Sequence, residues 1–241
     1  MITKNQIKFI KGLKLKKNRV KEQLFVVEGE KVVDELLKSD FEVVSIFATK
    51  PWILKNKADV AEIIEVSNSD LSKISNLKSP NNVLALVKMK QKAFLNKNTG
   101  VTLVLDEIND PGNLGTIIRI CDWFGVKKLI CSSNTVDCYN SKVVQSAMGS
   151  LFRIDITYTS LEEYLSKVNT PIYGAFMNGK NIKTEKVPNN AHLIMGNEAN
   201  GISKSVSKFI KNKVAIENIG GTTESLNVAV ATSILLHEIC N

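Results

Sequence analysis

Three short polar clusters in the C-terminal part of the chain carry the side chains that could do chemistry. The first, DPGNLGTIIR, contains Asn113 and Arg119, an amide and a permanent cation. The second, LIMGNEANGIS, places the carboxylate Glu198 shortly after an apolar stretch. The third, GGTTESLNVAV, places Ser225 and Asn227 before a long apolar run. Such groups, together with free N–H groups at helix starts, could hold a polar ligand.

Each cluster also has a purely structural interpretation, and the residues taken singly leave both open. Ser225 and Asn113 are residue types that cap helices. Arg119 could lie on the solvent side of an amphipathic helix, and residues 196–201 could form a glycine-bounded turn. All three clusters, however, lie in a part of the chain where strands and helices alternate. Ligands collect at the carboxyl ends of strands in open parallel sheets, which favours one shared site.

The elements that must position these clusters are apolar strands, each followed by a helix. Non-alternating apolar strands of this kind predict an α/β fold with a mostly parallel sheet covered on both faces. We predict strands at 101–108, 127–133, 153–159, 172–177, 191–196 and 212–217, and helices at 112–125, 141–150, 161–168, 204–210 and from 225 onward.

The first part of the chain predicts a smaller α/β domain. Its patterns indicate helices at 3–12, 30–39 and 52–62 and strands at 24–29, 41–49, 63–67 and 81–89. The predicted organisation is a domain at 1–92, a polar linker at 93–100 and a second domain at 101–241.

The positive charge is confined to the first part of the chain. The net charge is +8, and residues 101–241 carry equal numbers of acidic and basic side chains. Eight basic residues precede the first acidic one, Glu22. A solvated lysine-rich helix is the plain alternative, but such a block favours a nucleic-acid partner. The candidate RNA contacts are Lys14, Lys16, Lys17, Arg19 and Lys21.

Several functional classes find no support in the sequence. No apolar run has membrane-spanning length, and the N-terminus lacks a signal-peptide core. The four cysteines form no C-x-x-C pair and the two histidines lie far apart, so no zinc or other metal site is predicted. Cysteines in apolar segments are typical of a reduced cytoplasmic protein. A nucleotide-dependent oxidoreductase is a weak alternative, since no G-x-G-x-x-G follows the first strand of the second domain.

At the three clusters the sequence resembles the SpoU (TrmH-like) family of RNA ribose 2′-O-methyltransferases, within the SPOUT superfamily. The family's motifs occur in order as NLGTIIR, LIMGNEANGIS and ESLNVAVATSILLHE. The stretch FVVEGEKVVDELLKS also resembles the small α/β substrate-binding domain, related to RNA-binding ribosomal proteins, that these enzymes often carry. The resemblance therefore spans nearly the full chain.

The resemblance implies a C-terminal trefoil knot, S-adenosylmethionine as methyl donor, an RNA substrate and a homodimer. Ribosomal RNA is preferred over transfer RNA, because members with this N-terminal domain often act there. The implied catalytic residues are Asn113, Arg119, Glu198, Ser225 and Asn227. The implied cofactor-binding positions are Gly196, Asn197, Gly201, Ile216, Ser225, Leu226 and Asn227.

The expected roles follow the chemistry of these groups. Arg119 grips the target phosphate and lowers the pKa of the ribose hydroxyl through its charge, since arginine stays protonated in proteins. Asn113 positions the hydroxyl, while Glu198 and Ser225 orient Arg119 and Asn227. One departure keeps a second hypothesis open. Where the family usually has Ile-Pro-Met, this chain reads IENIGG, which would suit an RNA-binding protein that has lost cofactor binding.

Overall fold

The structure is a computed structural model that describes residues 2–56, 62–90 and 100–240. It divides into two compact units, one of Met1–Gln91 with Asp137–Phe152 and the other of Lys92–Val136 with Arg153–Asn241. The segment Asp137–Phe152 thus packs in the first unit, although in sequence order it falls inside the predicted 101–241 domain. All but the last residue of the predicted linker, 93–100, lies outside the described residues.

The first unit is built on a four-stranded mixed sheet. Its strand order is β1-β4-β2-β3, in which β4 runs antiparallel to both neighbours and β2 and β3 are parallel. The strands are β1 (Leu24–Glu28), β2 (Val43–Ala48), β3 (Ile63–Glu65) and β4 (Val83–Lys88). The helices are α1 (Lys4–Gly12), α2 (Lys16–Glu22), α3 (Glu30–Leu37), α4 (Lys50–Lys55), α5 (Asn68–Ile74) and α7 (Ser141–Ala147).

Two helices of this unit were not predicted. Helix α5 is capped by Ser67, whose side chain accepts a hydrogen bond from the Asp70 amide. The helix is short and has few apolar residues, so its periodicity did not reveal it. Helix α2 has few apolar positions, and its charge pattern masked the helix. Helix α4 ends at Lys55, so the predicted helix at 52–62 is shorter than expected, and residues 57–61 lie outside the described part.

Aromatic packing and a buried ion pair hold the segment Asp137–Phe152 in the first unit. The rings of Phe25 and Tyr139 lie 4.5 Å apart, and those of Phe41 and Phe152 lie 5.3 Å apart. Local sequence pattern does not reveal this arrangement, because the paired rings lie more than a hundred positions apart in the chain.

The second unit contains a six-stranded sheet in which every neighbouring pair is parallel. Its order is β10-β8-β9-β5-β6-β7. The strands are β5 (Thr102–Leu105), β6 (Lys128–Ser132), β7 (Asp155–Thr159), β8 (Ile172–Asn181), β9 (His192–Met195) and β10 (Asn212–Ala215). The helices are α6 (Pro111–Trp123), α8 (Leu161–Leu165), α9 (Lys204–Ser207) and α10 (Val228–Cys240). The prediction of an α/β fold with a mostly parallel sheet is confirmed.

Both faces of this sheet are covered. Val104, Ile130 and Ile194 pack in one apolar cluster with Leu161 of α8 and Val206 of α9. The strand residues that alternate with them point to the opposite face and are equally buried, which explains why these strands are apolar throughout. Among the described residues, no helix combines the length and the apolar character that a membrane span requires.

Candidate active site

Asn113 lies in the first turn of α6 with its side chain free to make long-range contacts. The sequence suggested that Asn113 caps this helix, but the cap is Asp110, whose carboxylate accepts the Asn113 amide at 2.9 Å. Pro111 occupies the first helical position, where its missing N–H costs nothing. Relieved of the capping role, the Asn113 side chain donates from Nδ2 to Glu198 Oε1 at 2.6 Å.

Glu198 is presented by a tight loop that follows β9. A Cβ atom on Gly196 would lie 2.2 Å from the carbonyl carbon of Gly201 and 2.3 Å from the Ile202 nitrogen. The glycine is therefore required because the chain's own backbone approaches it. Asn197 and Gly201 exchange backbone hydrogen bonds of 2.9–3.0 Å, and Gly201 has a φ of +66°. This closure holds Glu198 exposed at the tip of the loop.

The Asn197 side chain helps to build that loop. Its Oδ1 accepts the amides of Ala199 and Asn200, and its Nδ2 donates to the Glu107 carbonyl at 2.7 Å. Asn197 therefore supports the loop and keeps one N–H of its side-chain amide for another molecule.

Asn227 completes the connection from the third cluster. The sequence allowed Ser225 to cap the last helix, but α10 begins at Val228, and Asn227 Oδ1 accepts the amides of Ala229 and Val230. Its Nδ2 donates to Asn113 Oδ1 at 3.0 Å. One chain of hydrogen bonds, Glu198–Asn113–Asn227, thus joins all three sequence clusters within the second unit.

The chemistry of the two ends fixes the orientation of the middle amide. Glu198 offers a carboxyl oxygen as acceptor, so it faces the NH₂ group of Asn113. Asn227 has its oxygen committed to the helix backbone, so it can only donate to Asn113. Asn113 consequently keeps one N–H donor and one lone pair of Oδ1 for another molecule.

The structure does not bring Arg119 or Ser225 into this network. Arg119 lies six residues beyond Asn113, which corresponds to about 9 Å along the helix and about 240° around it. Both Arg119 and Ser225 are exposed, and neither is hydrogen-bonded to Asn113, Glu198 or Asn227. Glu198 therefore orients Asn113, and an orienting role of Glu198 towards Arg119 stays a prediction.

The predicted cofactor positions line the loops at one edge of the sheet. β9 and β10 end at Met195 and Ala215, so Gly196 and Ile216 both follow carboxyl ends of parallel strands. Ile216 is half-buried, whereas Leu226 and the residues from 217 to 227 are exposed. An adenosyl group and an amino-acid moiety bind backbone donors and acceptors of this kind, so the loops fit the implied cofactor.

Two residues that the sequence did not single out shape these loops. Asp106 is buried at the end of β5, and its Oδ2 accepts the Ser203 amide at 2.8 Å, which anchors the far side of the Glu198 loop. In the IENIGG stretch, Asn218 Oδ1 accepts the amides of Gly220 and Gly221 at 3.1 and 2.9 Å. An Asn two residues before a Gly pair is a turn signal that could have identified Asn218.

The candidate RNA contacts separate into two groups. Lys14, Lys16, Lys17 and Lys21 are exposed in the first unit. Arg19, in contrast, is only 2% exposed. Its guanidinium donates to Asp137 at 2.6 and 3.0 Å and to the Leu13 and Lys14 carbonyls at 2.8 Å. The prediction that Arg19 contacts RNA is therefore wrong, because its guanidinium is bonded to Asp137 and to two backbone carbonyls inside the unit.

Two sequence-family models match this chain and identify its family. The sequence model of the SpoU rRNA methylase family matches residues 100–237, and that of the MRM3-like substrate binding domain matches residues 4–85. This chain belongs to the SpoU rRNA methylase family. The resemblance that the three motifs suggested is thereby confirmed.

Individual relatives of this SpoU-family chain cover nearly its whole length. It is 30% identical over 98% of its residues to the 23S rRNA (guanosine(2553)-2′-O)-methyltransferase RlmP of Bacillus subtilis (strain 168), of which 96% is covered. A TrmH-family protein from Porphyromonas gingivalis superposes with a TM-score of 0.91 at 35% identity, covering 99% of this chain and 98% of the other. An AdoMet-bound rRNA methyltransferase from Sinorhizobium meliloti gives 0.87 at 25% identity, covering 99% and 95%.

Proposed function

We infer that the chain is an S-adenosylmethionine-dependent RNA methyltransferase that methylates a ribose 2′-hydroxyl, with ribosomal RNA as the preferred substrate. The observation that carries this function is the hydrogen-bond chain Glu198–Asn113–Asn227, found in a chain of the SpoU family. Relatives whose names state 23S rRNA 2′-O-methylation support the choice of ribosomal RNA over transfer RNA.

The residues of the chain serve to position the hydroxyl. When bound, S-adenosylmethionine supplies an already activated methyl group, so the protein must orient the acceptor and assist loss of its proton. Asn113, held from both ends, offers one donor and one acceptor to the ribose. Because it cannot rotate without breaking the bond to Glu198 or to Asn227, the amide is pre-organised for this role.

Arg119 serves as a protonated group that holds phosphate and stabilises negative charge on the hydroxyl oxygen. Its distance from Asn113 along α6 supports an arrangement in which it acts at the site of a second subunit. Trp123, one turn further along the same side of α6, is 84% exposed, and Val230 on α10 is 49% exposed. Helices α6 and α10 pack together, so we propose that this apolar face forms the homodimer.

Mixed dimers test the placement of Arg119. Arg119→Ala and Asn227→Ala proteins, each inactive alone, should regain up to about a quarter of wild-type activity after they are refolded together. About half of the resulting dimers are mixed, and one of the two sites in each mixed dimer is intact. In a separate experiment on the dimer face, Trp123→Lys should sediment as a monomer. A fully inactive mixture of stable mixed dimers would show that Arg119 acts within its own chain.

The remaining predictions of this function concern topology and location. Strand β9 lies between β8 and β5, and β10 returns to the outer edge beyond β8, a crossing order that supports the proposed C-terminal trefoil knot. Cys121, Cys131 and Cys138 are buried thiols outside any disulfide, and with an RNA substrate they support a cytoplasmic location.

A second candidate, an RNA-binding protein without cofactor binding, is favoured only by the IENIGG departure. Calorimetric titration with S-adenosylmethionine separates the two, since absence of binding heat and of protection against unfolding would support the second. If the chain is the enzyme, the wild-type protein should methylate ribosomal RNA taken from cells that lack it. The methylation rate should fall at least 100-fold in Asn113→Ala. Asn189 is exposed and lies outside the network, so Asn189→Ala should stay active.

A further inference from the structure

A concave groove between α1 and α2 in the first unit has no part in the function described so far. Its volume is about 310 Å³, at the lower end of the range of small-ligand sites. The residues that line it are Asn5, Lys8, Phe9, Gly12, Leu13, Asn18 and Glu22.

The walls of this groove combine an aromatic face and hydrogen-bond acceptors with one cation, Lys8. Phe9 is 39% exposed although it is a large apolar side chain, while Leu13 is buried and forms part of the apolar wall. Asn18 Nδ2 donates to the Gly12 carbonyl at 2.7 Å. The Oδ1 atom of Asn18 points away from this bond and can accept a hydrogen bond from a ligand. The Glu22 carboxylate, which forms an exposed ion pair with Lys21 at 3.4 Å, is a second acceptor.

Positive charge surrounds the groove on the same two helices. Seven exposed lysines lie on or beside α1 and α2: Lys4, Lys8, Lys11, Lys14, Lys16, Lys17 and Lys21. A surface of this kind selects a polyanion. The carboxylate of Glu22, however, would repel a phosphate placed inside the groove. A ligand that satisfies both conditions has anionic groups outside the groove and a flat, neutral part with N–H donors inside it.

A nucleotide of single-stranded RNA has this distribution of charge and hydrogen-bonding groups. We propose that the α1–α2 groove binds one unpaired RNA base, stacked on Phe9, whose N–H groups donate to Glu22 and Asn18 while the lysines contact the flanking phosphates. This site rests on the proposed function in that the substrate is RNA. It supplies a base contact in the substrate domain that is separate from the methylated nucleotide.

Stacking and phosphate contacts respond differently to salt, which provides the test. With the full-length protein and an RNA that the wild type methylates, Phe9→Ala should raise Kd roughly 5- to 150-fold. The slope of log Kd against log salt concentration should not change, because no phosphate contact is lost. Lys17→Ala should lower that slope by about one. Val20→Ala changes an exposed apolar residue of α2 that does not line the groove, and this variant should bind like the wild type.

Phe9→Trp separates stacking from a structural role. It should bind RNA at least as well as the wild type, and the added fluorescence should be quenched on binding because the base covers the ring. Wild-type affinity for Phe9→Ala, or unquenched Phe9→Trp fluorescence in the RNA complex, would overturn the site. If the wild type itself neither bound nor methylated any RNA, the proposed function would fail instead, so the two failures are distinguishable.

Discussion

Replacing Arg19 should destabilise the first unit rather than weaken RNA binding. The guanidinium is 2% exposed and the Asp137 carboxylate 11% exposed, with 2.6 Å between their closest atoms. In Arg19→Met the volume is roughly kept, but Asp137 is left as a largely buried charge. Breaking one partner of such a pair costs about 3–5 kcal/mol. Since domains are stable by only about 5–15 kcal/mol, the loss is a large share of the total.

Equilibrium unfolding in urea can resolve this loss within one unit. Trp52 is 2% exposed in the first unit and Trp123 is exposed in the second, so a Trp123→Phe background leaves Trp52 as the sole reporter. Phenylalanine keeps an aromatic ring at position 123. Removing both charges in Arg19→Met/Asp137→Leu should restore much of the stability. The double-mutant cycle formed by the wild type, the two single variants and the double variant gives the coupling energy between the two side chains.

Lys17→Met is the matched control, because Lys17 is exposed on the same helix. It should change the free energy of unfolding by less than about 0.5 kcal/mol. If Arg19→Met cost no more than this control while RNA affinity fell, the buried ion pair would carry little stability. Arg19 would then serve RNA, as its position in the basic block first indicated.

Three further predictions concern the second unit. Gly196→Ala should reduce S-adenosylmethionine affinity and methylation at least tenfold, because its Cβ would overlap the backbone of Gly201, whereas Gly100→Ala, with no atom within 4 Å, should be neutral. Asn218→Ala should weaken cofactor binding in calorimetry more than Asn218→Asp, which keeps the acceptor for the two glycine amides; equal losses would refute a role for that acceptor. Burial, aided by the nearby Lys128 charge, lowers the pKa of His192 from its ordinary 6.5 to about 4. Folding therefore favours neutral His192, and stability should fall by up to about 3 kcal/mol as pH drops from 6.5 towards 4. In His192→Gln, the midpoints of urea unfolding measured between pH 6.5 and 4 should no longer show the decrease that His192 causes.

The sequence was most informative where local pattern carries the information. Continuous apolar strands separated by helices predicted the parallel sheet, since strands buried on both faces leave no polar positions. It was least informative for short elements, such as α2 and α5, whose stability comes from packing rather than from periodicity. The roles of Asn113 and Ser225 as caps were misjudged, because several neighbouring residues could satisfy the same helix end, and only coordinates show that Asp110 and Asn227 do so.

The sequence by itself determined the α/β class of the second unit, the family, and the three motifs that carry the candidate site, because residue type and spacing specify these directly. The tertiary structure decided which of the polar side chains meet. Asn113 and Asn227 are separated by 114 positions, and a hydrogen bond of 3.0 Å between them depends on where two loops leave the sheet. The same holds for Arg19, whose charge looks available in the chain but is neutralised by Asp137, 118 positions away. Local pattern cannot encode a partner at such distance, since that partner is chosen by the packing of the whole unit.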